Sequence, residues 1–429
     1  MARVCVTGIW HQGSVVSACL ADLGNEVRGV CDPETATALM QARPPVFEPE
    51  LPEIIARNVT AGRLTYGSDY QAGLGEAEFV FICTDTAVDH EDQSDVAPIF
   101  AIAEEIGRHS TRDIVLCVTA QVPIGTSSEL AEVVRRQSPE FTCVVAYIPE
   151  FLRLGIAVDT FREADRFVIG CDDDEVAGRV AGIFKPLGRP VIRTDLASAE
   201  MAKHASNAFL ATSISFINEM ADLCERLGAD ASQVAQILKL DRRIGPHAFL
   251  SPGLGFAGGT LGREIRALQK LGRASGAPTP LMDAVWEVNQ RRPELVSRRL
   301  TRALGGLSGR RVTLLGLTYK AGTSTMRRAI SLDIARDLVA QGAVLGAFDP
   351  LADLDEVDGL PPIEIAADPY EAARGRDALV LVTEWAGIDE LDLGRVRQSM
   401  SGDVFLDTRN LLDPGRMAEE GFRYYRIGV

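Results

Sequence analysis

A chain of 429 residues is too long for one ordinary core and predicts two or three domains. Apolar residues at 46% and charged residues at 24% are the balance of a globular protein, and a net charge of −16 excludes a basic field for holding nucleic acid. No uninterrupted apolar run reaches transmembrane length, so a membrane-spanning role is excluded as well, and the cytoplasm is the expected location.

Up to about residue 195 the chain alternates strand and helix patterns, which predicts a parallel, doubly wound sheet. Val4-Cys5-Val6-Thr7 is a short apolar run followed by glycines and an amphipathic stretch. Further strands are expected at Glu26–Cys31, Glu78–Thr84, Ile114–Thr119, Cys143–Ala146 and Arg166–Gly170. The acidic run Asp172-Asp173-Asp174-Glu175 reads as a solvated turn opening a helix. From about Ser198 the strand signals stop, and two long helical patterns, about 198–228 and 263–300, flank a loop rich in Gly and Pro. The β-α rhythm resumes with strands expected at Val312–Leu317, Ala343–Phe348, Ala378–Val382 and Val404–Leu406. The simplest architecture is α/β: two Rossmann-like doubly wound domains, 1–197 and 306–429, joined by a helical region, 198–305.

Gly8-Ile9-Trp10-His11-Gln12-Gly13 lies between the first strand and its helix. It keeps the first and third glycines of the dinucleotide fingerprint G-x-G-x-x-G and places Trp10 at the middle one, through which the backbone approaches a pyrophosphate. The helix N-terminus that attracts phosphate survives. Asp32 follows the second strand as the carboxylate for ribose hydroxyls, and its charge favours NAD over a 2′-phosphorylated cofactor. Thr84, at the end of a later strand, joins the same cofactor set. The eight cysteines form no C-x-x-C pair, and those in apolar runs (Cys5, Cys83, Cys117, Cys143) read as buried inert thiols. No metal ligand is assigned. Only five of the 44 basic residues are lysines, and two of those, Lys203 and Lys320, fall in motifs. A compact ammonium can exchange a proton where Arg cannot.

Lys203 and Asn207 are four apart in Ala199-Glu200-Met201-Ala202-Lys203-His204-Ala205-Ser206-Asn207-Ala208-Phe209-Leu210-Ala211-Thr212, so on a helix they face one way. An ammonium and an amide on one face suit a developing alkoxide or oxyanion. This segment, Pro149-Glu150-Phe151-Leu152-Arg153, Ser215-Phe216-Ile217-Asn218-Glu219, Arg243-Ile244-Gly245, Tyr319-Lys320 and the loop Gly255–Glu264 together resemble the UDP-glucose/GDP-mannose dehydrogenase family over nearly the whole chain.

The resemblance implies an enzyme that binds NAD and a nucleotide-diphosphate sugar, with the central helices forming a homodimer. It implies that Lys203, Asn207 and Glu150 remove and stabilise protons and anions, and that Phe151, Leu152, Arg153, Phe256, Gly258 and Lys320 hold substrate. Arg243 would reach substrate from the neighbouring subunit. Arg327 aligns with an Arg that touches the cofactor. Gly316-Leu317-Thr318-Tyr319-Lys320 reads as a β-α phosphate turn.

Three positions depart from the family. Its catalytic Cys, in G-F-G-G-S-C-F-P-K-D, is Thr260 here. The Asp after its Lys is Glu264, and the Thr of S-T-V-P-x-G-T is Gln121. A thiolate is nucleophilic near neutral pH, whereas a Thr hydroxyl needs a base beside it. The hydride-transfer set is retained and the thioester-and-hydrolysis set is rewritten, which predicts a sugar oxidoreductase acting near C6 and limited to one hydride transfer. Three alternatives stand beside it: a redox-neutral epimerase or dehydratase using bound NAD transiently, a uronate-forming 6-dehydrogenase, and a non-catalytic nucleotide-sugar binder.

Overall fold

The structure, a computed structural model, describes residues 1–84, 86 and 95–429. The chain divides into two compact units, Met1–Ala205 and Ser206–Val429. The first is built on an eight-stranded sheet: β1 (Arg3–Thr7), β2 (Glu26–Val30), β3 (Leu64–Gly67), β4 (Phe79–Ile82), β5 (Ile114–Val118), β6 (Cys143–Tyr147), β7 (Phe167–Gly170) and β8 (Val191–Thr194), in the order β3-β2-β1-β4-β5-β6-β7-β8. The inner strands β1, β4 and β5 are apolar almost throughout because helices cover both faces of a parallel sheet. One core lies on each face, one around Val4, Val6, Phe79 and Phe81, the other around Cys5, Val80, Ile82 and Leu116. Pairing is parallel except at β6–β7, where Tyr147 meets Gly170 in antiparallel sense.

The second unit carries a six-stranded, all-parallel sheet: β9 (Arg311–Leu315), β10 (Val344–Phe348), β11 (Ile363–Ile365), β12 (Ala378–Leu381), β13 (Val404–Asp407) and β14 (Arg423–Arg426), in the order β11-β10-β9-β12-β13-β14. Its first five strands repeat the order of the first sheet's β3-β2-β1-β4-β5, and the order in which strands are added reverses at the same place, between β9 and β12. Crevices for ligands open at such switch points, beyond the carboxyl ends of β1 and β4 and of β9 and β12.

Both α/β sheets match the expected fold class. The four strands that the patterns did not predict, β3, β8, β11 and β14, are the four sheet edges. An edge strand needs one neighbour and one apolar face, so Leu64-Thr65-Tyr66-Gly67 buries only alternate residues and Arg423-Tyr424-Tyr425-Arg426 buries none fully. The helical region also differs from expectation. The 198–228 pattern is a 32-residue helix, Leu196–Leu227, as expected; the difference lies in the second pattern. The 263–300 pattern breaks into Leu261–Ser275, Pro280–Gln290 and Glu294–Leu304. Gly276 takes the left-handed C-cap conformation, and Pro280 and Pro293 open the next two helices, where a missing N–H costs nothing. The intervening loop contains a further helix, Ala231–Leu240, capped by the Asp230 carboxylate. Asp173 caps the helix Asp174–Phe184, as the acidic run implies.

Candidate active site

In the first unit, the turn after β1 opens onto a cavity of about 690 Å³ lined by Gly8, Trp10, Cys31, Asp32, Tyr70 and Thr84 among others. Both retained glycines have steric reasons. Gly8 has φ +71°, and a Cβ there would stand 2.3 Å from Thr84 Oγ1. A Cβ on Gly13 would stand 2.5 Å from the Gly8 carbonyl oxygen, which would push the helix His11–Asp22 off the strand. Trp10, the N-cap residue of that helix, is 55% exposed. Asp32 caps the helix Pro33–Met40 by accepting from Thr35 N, and the Thr35 side chain, then this backbone N–H, holds its carboxyl below the usual carboxylate range. Its neighbour Cys31 is half-buried, and burial pushes its thiol up to about 12.

Two expected cofactor side chains point elsewhere. Gln12 Nε2 donates to the Thr119 carbonyl and hydroxyl, tying its helix to the end of β5. His11 Nε2 lies 2.7 Å from Glu48 Oε1. Glu48 is fully buried and also accepts from Gly155 N and Ala157 N. It joins the turn after β1 to the loop after β6, a role no motif announced.

That loop carries Glu150, Phe151, Leu152 and Arg153. Glu150 Oε2 accepts from Leu152 N, and its Oε1 stands 3.8 Å from Lys203 Nζ. Lys203 Nζ also donates to the Glu150 carbonyl and sits 4.8 Å from the centre of the Phe151 ring. The Arg166 guanidinium approaches the same ring at 5.0 Å. Lys203 is thus a buried ammonium facing a carbonyl, a carboxylate and a π face, which together compensate its lost hydration. Arg153 is exposed, and its backbone N–H donates to Thr160. Glu200, in the same motif as Lys203, is buried and accepts from Gly125 N and Ser127 N at the start of the helix Thr126–Gln137. It anchors the loop bearing Gln121, whose carbonyl accepts from Thr86 Oγ1.

Asn207 follows Lys203 by one turn of the helix Leu196–Leu227 and belongs to the second unit. There its Nδ2 donates to Glu264 Oε2 at 2.9 Å, and both side chains are buried. Glu264 lies in the first turn of the helix Leu261–Ser275, where a negative charge is favoured. Thr260 is the N-cap of that helix, is exposed, and makes no side-chain capping bond.

The loop before Thr260 is clamped on one side by buried polar groups. Asn289 accepts from Phe256 N and donates to Phe256 O, Arg292 donates twice to Gly253 O, and Asn218 accepts from Gly253 N. On the other side, Gly258 has φ +79° and packs where a Cβ would stand 2.9 Å from the Tyr319 ring, while its N–H donates to Arg328 O. The loop is thereby held against the Tyr319-Lys320 turn. Lys320 Nζ sits 5.7 Å from the Tyr319 ring centre. Asn218 lies in a quoted motif without an assigned role, whereas the clamp residues Asn289 and Arg292 escaped motif reading, because a lone buried amide or guanidinium carries no spacing signal.

Two expectations for the second unit need correction. The amides of Leu317 and Thr318 are not open to a phosphate, because Asp349 Oδ2 accepts from both and from Thr318 Oγ1. The next helix starts only at Ile330, so the turn lacks an adjoining helix N-terminus. Arg327 is largely exposed and pairs with Glu356. Arg243 is 88% exposed and pairs bidentately with Asp241.

The family model for the NAD binding domain of the UDP-glucose/GDP-mannose dehydrogenases matches residues 2–188, the central-domain model 197–291 and the UDP-binding-domain model 313–414. The chain belongs to the UDP-glucose/GDP-mannose dehydrogenase family. A UDP-glucose 6-dehydrogenase of Pseudomonas aeruginosa is 36% identical, with 99% of this chain and 97% of the relative covered. One of Bacillus subtilis is 34% identical, with 100% and 93% covered. Among solved structures, a UDP-glucose dehydrogenase from Pyrobaculum islandicum matches with TM-score 0.90 and 31% identity, covering 100% of this chain and 98% of that one.

As a member of this family the chain is an NAD-dependent nucleotide-sugar dehydrogenase. Its own residues fit the dinucleotide. Thr84 Oγ1 is buried without a hydrogen-bond partner among the described residues and borders the cavity, beside the Gly8 turn, the N-terminus of the helix His11–Asp22 and the Asp32 carboxylate. Among the described residues no helix is long and apolar enough to cross a membrane.

Proposed function

We propose that this family member oxidises the C6 hydroxyl of a UDP-hexose and stops at the aldehyde. The UDP-glucose 6-dehydrogenase names of its relatives and the match to a UDP binding domain support the substrate class. NAD supplies the hydride acceptor. The balance is one CH₂OH carbon becoming CHO, with one hydride transferred and one proton released.

Lys203 holds the alkoxide as the hydroxyl proton leaves, and Glu150, whose carboxylate lies beside its Nζ, relays that proton outward. Asn207 spends one amide hydrogen on Glu264 and keeps the second for the same oxyanion. Phe151, Leu152 and Arg153 line the sugar side. Phe256, Gly258 and Lys320 hold the diphosphate end, with Arg243 entering from a second subunit of a homodimer. In this reading 1–197 carries NAD, 198–305 the dimer contacts and central helix, and 306–429 the nucleotide.

One observation carries the limit to a single oxidation. Thr260 Oγ1 has no partner among the described residues, so no base is in hydrogen-bond reach to activate it. The only acid in that helix's first turn, Glu264, is buried and turned to Asn207. An aldehyde then meets neither a thiolate nor an activated hydroxyl, and the covalent state from which a second hydride would leave does not form.

The test is NADH released per UDP-glucose consumed, with product analysis. One NADH and a 6-aldehyde are expected. Two NADH and a uronic acid, the outcome suggested by the relatives' names, would overturn the single-step reading. Turnover with no net NADH would replace it with a redox-neutral epimerisation or dehydration.

A further inference from the structure

We infer that Trp10 is a cofactor-recognition residue, its indole forming a stacking wall for the adenosine half of NAD in place of the close backbone approach that a middle glycine would permit. Trp10 is 55% exposed and borders the cavity, which leaves indole surface for a ligand to cover. The indole borders one cavity together with Asp32, Pro33 and Tyr70, all beyond the ends of β2 and β3. That is the side of the switch point where a carboxylate after the second strand takes a ribose diol, hence the adenosine side.

The walls of this cavity are complementary to a nucleoside. It is lined by two aromatic residues, Trp10 and Tyr70, by Asp32 as an acceptor for hydroxyls, and by Thr84, whose buried hydroxyl has no partner among the described residues. The side chains of the next two residues after Trp10 are committed elsewhere, His11 to Glu48 and Gln12 to Thr119. Of the turn's residues between the glycines, Ile9 and Trp10 line the cavity, and Trp10 is the exposed one, Ile9 being buried.

The inference makes a counterintuitive forecast: restoring the glycine fingerprint weakens binding. Tryptophan emission and affinity are measured by titrating the full-length protein with ADP-ribose and, separately, with nicotinamide mononucleotide. ADP-ribose is expected to quench the wild-type protein, and nicotinamide mononucleotide to leave Trp10 emission unchanged. Trp10→Phe should lose the quench and retain affinity within about twofold, because an aromatic face remains. Trp10→Gly should bind ADP-ribose roughly tenfold more weakly, the scale of losing one base–aromatic stack. The inference is overturned if Trp10→Gly binds ADP-ribose as tightly as wild type or more tightly, or if the quench persists undiminished in Trp10→Phe, where only Trp286 and Trp385 remain to report it.

Discussion

Thr260 and Lys203 occupy opposite ends of the scale of chemical commitment. The Thr260 hydroxyl is exposed and unbonded among the described residues, whereas Lys203 is buried among a carbonyl, a carboxylate and an aromatic face. Lys203→Ala is expected to slow turnover by roughly two to four orders of magnitude, the usual worth of a positioned proton-transfer group. Thr260→Ala is expected to leave kcat within about threefold, because a side chain without a base nearby contributes little nucleophilicity. Steady-state kinetics on UDP-glucose compares the two, and equal losses would show Thr260 acting as a nucleophile. A second residue-scale expectation concerns thiols. Burial pushes Cys5, Cys19, Cys31 and Cys143 up to about 12, and Cys117 well above the ordinary range, so at pH 8 these five stay thiols. Mass spectrometry after iodoacetamide should find them unmodified in the native protein and all eight cysteines modified in denaturant.

At the scale of elements, function depends on how loops are pinned. The loop 253–260 has Asn289 bonded to both the N–H and the carbonyl of Phe256, a side-chain amide standing in for a strand partner. Asn289→Ala would leave both groups buried and unpaired, at about 1–3 kcal/mol each. A lower Tm is expected together with a fall in kcat while NAD affinity is unchanged, readable by thermal melts and cofactor titration. Helix-to-helix contacts in the first unit bring a pH dependence. Asp22, at the end of the helix His11–Asp22, takes a bidentate pair from Arg57 and a bond from Asn58 on the helix Leu51–Thr60. The Arg57 bond, first of all, holds the Asp22 carboxyl below the usual range, and the Asn58 bond assists. A folded-state value below the unfolded one means stability that is present above about pH 4 and lost as pH falls through the acid range. Asp22→Asn should therefore flatten the acid limb of a Tm-versus-pH curve, and an unchanged limb would show the pair to be inert.

On the scale of the whole molecule, the chain contains one design twice with two outcomes. Gly8 approaches Thr84 after β4 as Gly316 approaches Thr383 after β12, both with positive φ and both at distances that exclude a Cβ. In the first sheet the Thr hydroxyl has no partner among the described residues and the turn faces a cavity. In the second, Thr383 donates to the Thr318 carbonyl and Asp349 fills the turn's amides. One dinucleotide per chain is the expected stoichiometry by calorimetry, and Gly8→Ala, which collides with Thr84, should abolish it. The proposed dimer rests on an apolar stripe in the second unit. Phe209, Phe216, Leu223 and Leu227 recur at helical spacing on the helix Leu196–Leu227, and all are exposed, as are Ile237 and Leu240 on the next helix. Sedimentation at micromolar concentration should give a dimer, and Arg243→Ala should weaken UDP-sugar binding without weakening NAD. A monomer would remove both expectations.

The amino-acid sequence by itself determined the two α/β sheets, the family, the cofactor class and the identity of the motif residues. Inner strands of parallel sheets are continuous apolar runs, and chemistry at a helix face needs fixed residue types at fixed spacing, so both leave local marks. Tertiary structure alone decided the rest. The edge strands β3, β8, β11 and β14 carry weak patterns because half of each faces solvent, and only pairing with a neighbour makes them strands. The helical break at Gly276 was written locally but hidden by an unbroken apolar period on either side. The Glu48, Glu200 and Asn289 clamps join residues 33 to 109 positions apart, and Asp349 closes a turn from 31 and 32 positions away, partnerships that no local period encodes. Whether a glycine turn binds a phosphate or its own aspartate is likewise decided by what folding brings to its amides.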